Sequence, residues 1–115
     1  MKRVRGIAAI LSWLISSNAF AIGAATNVTV TDVRVDADGK GMAFFSAPLG
    51  SAQPTCVLSG YANALAFDTN TAGGRSILAF VLAAQSSGTV IKGVFGYGTC
   101  NVYGSTVEDW HYATS

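Results

Sequence analysis

Two cysteines, Cys56 and Cys100, are the only ones in this chain of 115 residues, and they constrain its fold more than any other feature. If they pair, the folded chain must bring both positions together across the segment 56–100. Pairing depends on the compartment, because disulfides form and persist in oxidising surroundings. The alternatives are a free reactive thiol and a metal site. Two cysteines and a single histidine, at no metal-ligand spacing, make a poor zinc set.

The first 21 residues have the three-part pattern of a secretory signal peptide. Three basic residues precede an apolar run over 6–15, and Ala19 and Ala21 supply a small-x-small cleavage pattern. An uncleaved anchor is the weaker alternative, because a bilayer-spanning helix needs roughly 20 apolar residues. We therefore predict a signal peptide over 1–21, cleavage after Ala21, and a secreted or periplasmic domain over 22–115 with no membrane span.

Export changes two properties of the chain: cleavage alters its net charge, and the new compartment determines whether its cysteines pair. The whole chain carries a formal charge of +1, whereas residues 22–115 keep four basic and six acidic side chains, a net charge of −2. A nucleic-acid partner is not expected, because the basic residues form no patch or stripe. In the oxidising compartment we predict a Cys56–Cys100 disulfide, which would stabilise the fold by roughly 4 kcal/mol.

The pattern of 22–115 predicts one domain, mainly β with one helix (α+β), in the order β-β-β-α-β-β. The predicted strands are 26–35, 41–47, 55–67, 89–95 and 107–113, with 99–103 as a further short segment of the last one. A slip in the apolar alternation predicts a bulge near Thr31 and Asp32 in the first strand, and Gly60 predicts a bend in the third.

The helix is the clearest element of the sequence. Ile77, Leu78, Val81 and Leu82 recur with helical spacing, and Gly88 stands where a helix would stop. The segment 68–71 offers several N-caps. The glycine pair 73–74 predicts either a start near residue 75 or a close approach by another backbone.

Five strands with a helix between the third and fourth is the connectivity of the OB-fold, a five-stranded, partly open barrel. An α+β sandwich with the same elements is the alternative.

Residues suited to catalysis are few. His111 is the only histidine, and the thiols are consumed if the disulfide forms. Glu108 and Asp109 are adjacent, so on a strand they point to opposite faces. Asp36 and Asp38 lie in a turn that lacks the further acids of a calcium loop. We therefore expect no catalytic residue, no metal and no cofactor.

The last 20 residues concentrate aromatic and amide side chains around Cys100. The candidate glycan-binding residues are Tyr97, Asn101, Tyr103, Trp110, His111 and Tyr112. Such a set suits sugar rings, which have apolar C–H faces and hydroxyl rims. The alternative is that these rings pack the interior of the domain.

The stretch AFDTNTAGGRSILA at 66–79, followed by SGTV at 87–90, resembles the B subunits of AB5 bacterial toxins. The signal peptide and the β-β-β-α-β-β order add to this resemblance. It implies an OB-fold, a homopentamer with the helix lining a central pore, a glycan receptor, and a toxin A subunit as partner. The segment 67–100 also resembles small, uncharacterised secreted bacterial proteins.

These observations give three hypotheses. The first is a secreted, non-enzymatic binding module for carbohydrate. The alternative is a secreted structural or assembly protein that acts through protein–protein contacts. The third is a small secreted hydrolase that uses His111 with a neighbouring acid.

Overall fold

The computed structural model describes residues 21–115, so the predicted signal segment lies outside the described residues except for Ala21. The described chain forms six strands, one α-helix and a short 3₁₀ helix over Ser59–Tyr61. The elements are β1 (Ala24–Val28), β2 (Val30–Val35), β3 (Lys40–Phe45), β4 (Ala64–Asp68), α1 (Ala72–Ser87), β5 (Ile91–Gly96) and β6 (Glu108–Thr114). The class predicted from the sequence, mainly β with one helix, is confirmed.

The number of strands is six, and the predicted count of five was wrong. The first predicted strand is divided at Thr29, because β1 pairs with β5 whereas β2 pairs with β3. Asn27 has a positive φ of 54°, which turns the backbone just before the division. The predicted bulge is confirmed by a register shift between Val30 and Asp32.

The strands form one mixed sheet in the order β1-β5-β6-β4-β3-β2. Only β4 and β6 run parallel; every other neighbouring pair is antiparallel. The two end strands of this order, β1 and β2, are joined through the single residue Thr29. Since both ends of the sheet meet at one point in the chain, the sheet curls into a half-barrel.

Helix α1 begins at Ala72, three residues before the predicted start. The Thr71 side chain caps it by accepting a hydrogen bond from the Gly74 N–H at 2.9 Å. A Cβ on Gly74 would overlap the Asp68 carbonyl, whereas one on Gly73 would meet open space. Close backbone approach therefore explains the second glycine of the pair. The predicted stop at Gly88 is confirmed, with a left-handed φ of 67°.

The main core lies between α1 and the face of the sheet turned toward it, which we call the inner face. Fully buried side chains there include Phe45, Leu65, Val81 and Val94. A second apolar cluster covers β3 and β4 on the opposite, outer face. Its buried members are Met42, Ala64, Ala66 and Val107, and Phe44, Tyr61, Val102 and Tyr103 pack over them.

The loops over this second cluster are joined by the predicted disulfide. Cys56 and Cys100 are bonded, with 6.3 Å between their Cα atoms. Much of the predicted third strand, 55–67, is loop and 3₁₀ helix, since β4 starts only at Ala64. The segment 99–103 forms turns instead of a strand. Within residues 21–115, no helix has the length and apolar character needed to cross a bilayer.

Candidate functional site

A bulge in β6 decides where the predicted binding residues lie. Phe95 pairs with Tyr112 and Gly96 pairs with Trp110, so His111 is an extra residue opposite the junction. An extra residue reverses the alternation of side chains beyond it. Trp110 and Tyr112, two residues apart, would share a face on a regular strand, but the bulge places them on opposite faces.

Tyr97, His111, Tyr112 and Phe95 form a continuous set of touching rings, which we call the aromatic row. Tyr112 stacks on Phe95 at a centroid distance of 4.5 Å. His111 meets the rings of Tyr97 and Tyr112 edge to face, each at 4.9 Å. Tyr97 is 58% exposed and Tyr112 is 46% exposed. The row thus exposes aromatic surface to solvent along the antiparallel pair of β5 and β6.

Trp110 is turned away from the row and packs against the core. Its ring lies 6.1 Å from that of Phe45 and 6.2 Å from that of Phe80 on α1. The expectation that Trp110 belongs to the same binding surface is not supported by this placement. The alternative of interior packing holds for this residue.

Tyr103 lies in a different place, over the second apolar cluster. Its hydroxyl donates to the Asp36 carboxylate at 2.9 Å, and Arg34 Nε donates to the same carboxylate at 2.7 Å. Burial, together with this hydrogen bond, raises the pKa of the Tyr103 phenol above its usual value of 10. The hydrogen bonds from Arg34 and then from Tyr103 lower the pKa of Asp36. Tyr103 therefore ties its loop to the β2–β3 turn.

Asn101 is exposed in the loop that Asp109 organises. The Asp109 carboxylate accepts hydrogen bonds from the backbone N–H groups of Asn101 and Val102, at 2.8 and 2.9 Å, and from the Thr99 hydroxyl. Asp109 is 8% exposed, so its oxygens are buried and hydrogen-bond to the loop that carries Cys100. Of the six predicted residues, Tyr97, His111 and Tyr112 come together, whereas Asn101, Tyr103 and Trp110 do not join them in ring contact.

Glu108 and Asp109, the two adjacent acids of the sequence, are both buried. Glu108 is 0% exposed, and its oxygens accept from the backbone N–H groups of Gly23 and Gly98. Within residues 21–115, no carboxylate lies within ion-pair distance of His111. The third hypothesis, a hydrolase, needs an acid beside His111 that this geometry does not provide.

The turn with Asp36 and Asp38 is a hairpin turn. Asp36 is bonded to Arg34, and Asp38 accepts from the Lys40 N–H at 3.1 Å. Over the part of the chain that the structure describes, no three histidine, cysteine or acidic side chains cluster as metal ligands would.

Sequence reasoning missed the partners that shape this region. Phe95 stacks on Tyr112 because of the register between β5 and β6, which cannot be read from the sequence alone. The burial of Glu108 depends on Gly23 and Gly96, which lie far apart in the sequence. The closely spaced glycines at 93–98 were the available signal for a crowded bend.

Comparison with protein-family models, with curated proteins and with solved structures finds no match.

Proposed function

We propose that this chain is an exported, non-enzymatic binding module that recognises carbohydrate through the aromatic row. The observation that carries the proposal is the solvent-facing contact of Tyr97, His111 and Tyr112, supported from below by Phe95. Exposed ring faces suit the apolar C–H faces of a sugar. The phenol and imidazole groups at their edges donate and accept hydrogen bonds from its hydroxyls.

The sheet order supports an OB-type barrel as the scaffold for this site. If β1 and β2 are the two halves of one bent strand, the order becomes 1-2-3-5-4-1, with the third and fifth strands parallel and the helix between the third and fourth. OB-folds bind oligosaccharides on the face of the second and third strands, between the loops 1–2 and 4–5.

In this chain the corresponding face is already filled. It is the outer face of β3 and β4, where Tyr61, Val102 and Tyr103 cover the buried Met42. The loop that would correspond to 4–5 begins at Tyr97, which is the first member of the aromatic row. The proposed sugar site therefore lies at the C-terminal end of β5 and on the adjacent part of β6, instead of on the usual face.

Export and assembly belong to the same proposal. The Cys56–Cys100 disulfide is compatible with a secreted or periplasmic protein. The resemblance to toxin B subunits adds a homopentamer, a glycan receptor and an A subunit as proposed partners. A neighbouring gene for an exported ADP-ribosyltransferase or protease would support the A subunit, and a neighbourhood without any exported enzyme would count against it.

The sugar site is tested by a glycan array on the domain 22–115, followed by titration of the best ligand. Tyr97→Ala and Tyr112→Ala should each weaken binding about tenfold, the loss expected for one stacking contact of about 1.4 kcal/mol. Tyr103→Phe is the control. Tyr103 lies outside the row, and the substitution removes its hydroxyl but keeps its ring, so binding should not change. No binding on the array, or binding unchanged in both alanine variants, contradicts the proposal.

A second candidate is a structural or assembly protein that acts through protein contacts. The observation that favours it is a set of large apolar side chains left in solvent, among them Leu58, Leu82 and Val90. An open polymer in light scattering, combined with an empty glycan array, would favour this function over the first.

A further inference from the structure

Glu108 is a carboxylate enclosed by glycines at the start of β6. Gly98 N donates to its Oε2 at 3.0 Å, and Gly23 N lies 3.1 Å from Oε2 and 3.2 Å from Oε1. A Cβ on Gly23 would stand 2.5 Å from Oε1, and one on Gly96 would overlap the carboxylate. The niche therefore exists only because these positions are glycines.

The contacts in this niche suit an ionised carboxylate. Backbone N–H groups and the Gln53 side-chain amide, at 3.4 Å, all act as donors, and an ionised carboxylate only accepts. A buried charge is costly unless it is paired. The ion pairs within residues 21–115 join Arg34 to Asp36 and Lys40 to Asp38, so no described basic side chain lies within 4 Å of Glu108.

The predicted cleavage site lies against the same niche. A Cβ on Gly98 would stand 3.3 Å from the Ala21 carbonyl oxygen and 3.4 Å from Cγ1 of Ile22. Gly23 N is in direct contact with the carboxylate. Neighbouring backbone nitrogens are at most about 4 Å apart, which places the Ile22 nitrogen within about 7 Å of Glu108.

We propose that cleavage after Ala21 supplies the missing cation, so that the new α-ammonium of Ile22 pairs with Glu108 and completes the fold. Hydrolysis adds one water across the Ala21–Ile22 amide. Ala21 leaves as a carboxylate, and the Ile22 amine takes the proton to become an ammonium. The inference rests on the proposed export and on this cleavage position, and it is independent of carbohydrate binding.

The direct test compares the oxidised, refolded domain with a free Ile22 amine and the same domain acetylated there. A fusion cut by a scarless protease provides Ile22 as the first residue. Acetylation in denaturant near neutral pH modifies the α-amine, whose pKa is about 7.7–8.0, in preference to the lysines at about 10.4. We expect acetylation to lower the Tm by about 5–10 °C. An unchanged Tm would overturn the proposal.

A double-mutant cycle shows whether Glu108 is the partner. In Glu108→Gln, acetylation should leave the Tm nearly unchanged, whereas in the control Asp109→Asn it should cost as much as in the wild type. An equal loss in all three backgrounds would overturn the proposal. In exported material, the mature chain should start at Ile22, and any other start contradicts the inference in a way that leaves the sugar site untouched.

If Glu108→Gln does not fold, the pH dependence of the wild-type difference decides. The ionisable groups on the packed elements are Glu108, Asp109, His111 and Tyr112 on β6, Lys92 on β5 and Tyr97 just after β5, while the loop 48–54 carries none. Pairing raises the amine pKa, so the Tm difference should be fully present below about pH 7.7 and disappear as the pH rises through the raised value. A difference that persists unchanged at high pH would contradict the ion pair.

Discussion

At the scale of single residues, the adjacent glycines of α1 have opposite roles. Gly74→Ala should destabilise the domain by about 2 kcal/mol or more, because its Cβ would collide with the rigid Asp68 carbonyl. Gly73→Ala should stabilise it by about 0.5–1 kcal/mol, because alanine is the better helix former and the space is open. Urea unfolding of both variants is the measurement. The same sign of change for both would contradict the close approach at Gly74.

The pairing of Tyr103 with Asp36 predicts a dependence on pH at both extremes. Asp36 has a lowered pKa, so its contribution to stability is present above the usual aspartate value of 3.8 and is lost as the pH falls through the lowered value. Tyr103 has a raised pKa, so its contribution is present below 10 and is lost as the pH rises through the raised value. NMR titration of the Asp36 carboxyl should show its pKa move up in Tyr103→Phe. An Asp36 pKa that does not respond to Tyr103→Phe would contradict this coupling.

Residue-scale chemistry was the part of the site that the sequence predicted least well. The six candidates share one stretch of chain, but only Tyr97, His111 and Tyr112 share a surface. Trp110 is separated from them by one bulged residue, and a bulge depends on the pairing of two strands, which local sequence does not encode. Tyr103 is separated because a carboxylate 67 positions earlier holds its hydroxyl.

At the scale of elements, the helix and the disulfide were predictable because their signals are local or depend on the compartment. The Thr71 side chain caps the N-terminus of α1, and the Gly88 backbone N–H caps its C-terminus. Cys56 and Cys100 had only each other as partners. The division of the first strand at Thr29 was not predictable, because it reflects a change of strand partner, from β5 to β3, along a uniform Val- and Thr-rich segment.

The disulfide should account for much of the stability of the outer loops. Replacing both cysteines by serine should cost roughly 4 kcal/mol, as expected for a closed loop with 44 residues of separation. Urea unfolding of the double variant and of the wild type measures this difference. Reductant should destabilise the wild type to a similar extent and leave the double variant unchanged. A double variant as stable as the oxidised wild type would contradict this prediction.

At the scale of the whole molecule, the curled sheet leaves α1 with more apolar surface than one sheet face can cover. Val81 and Ala84 are buried, but Leu82 is 46% exposed and Ala79 and Ala83 are also exposed. Arg75 is the only charged residue of this helix. A helix with a single charged residue and an apolar solvent face is typical of an element that is buried when subunits assemble.

The proposed homopentamer is therefore expected to depend on α1. Light scattering of the domain 22–115 should give five times the monomer mass, and Leu82→Glu should return it to the monomer, because burying a carboxylate in an apolar contact is unfavourable. Ser76→Glu is the control, since it adds the same charge at an exposed position in the N-terminal half of the same helix. A wild type that stays monomeric, or a Leu82→Glu variant with an unchanged mass, would contradict assembly through this face. An open polymer that Leu82→Glu dissolves would instead favour the assembly function, because a closed ring has a fixed size and a polymer does not.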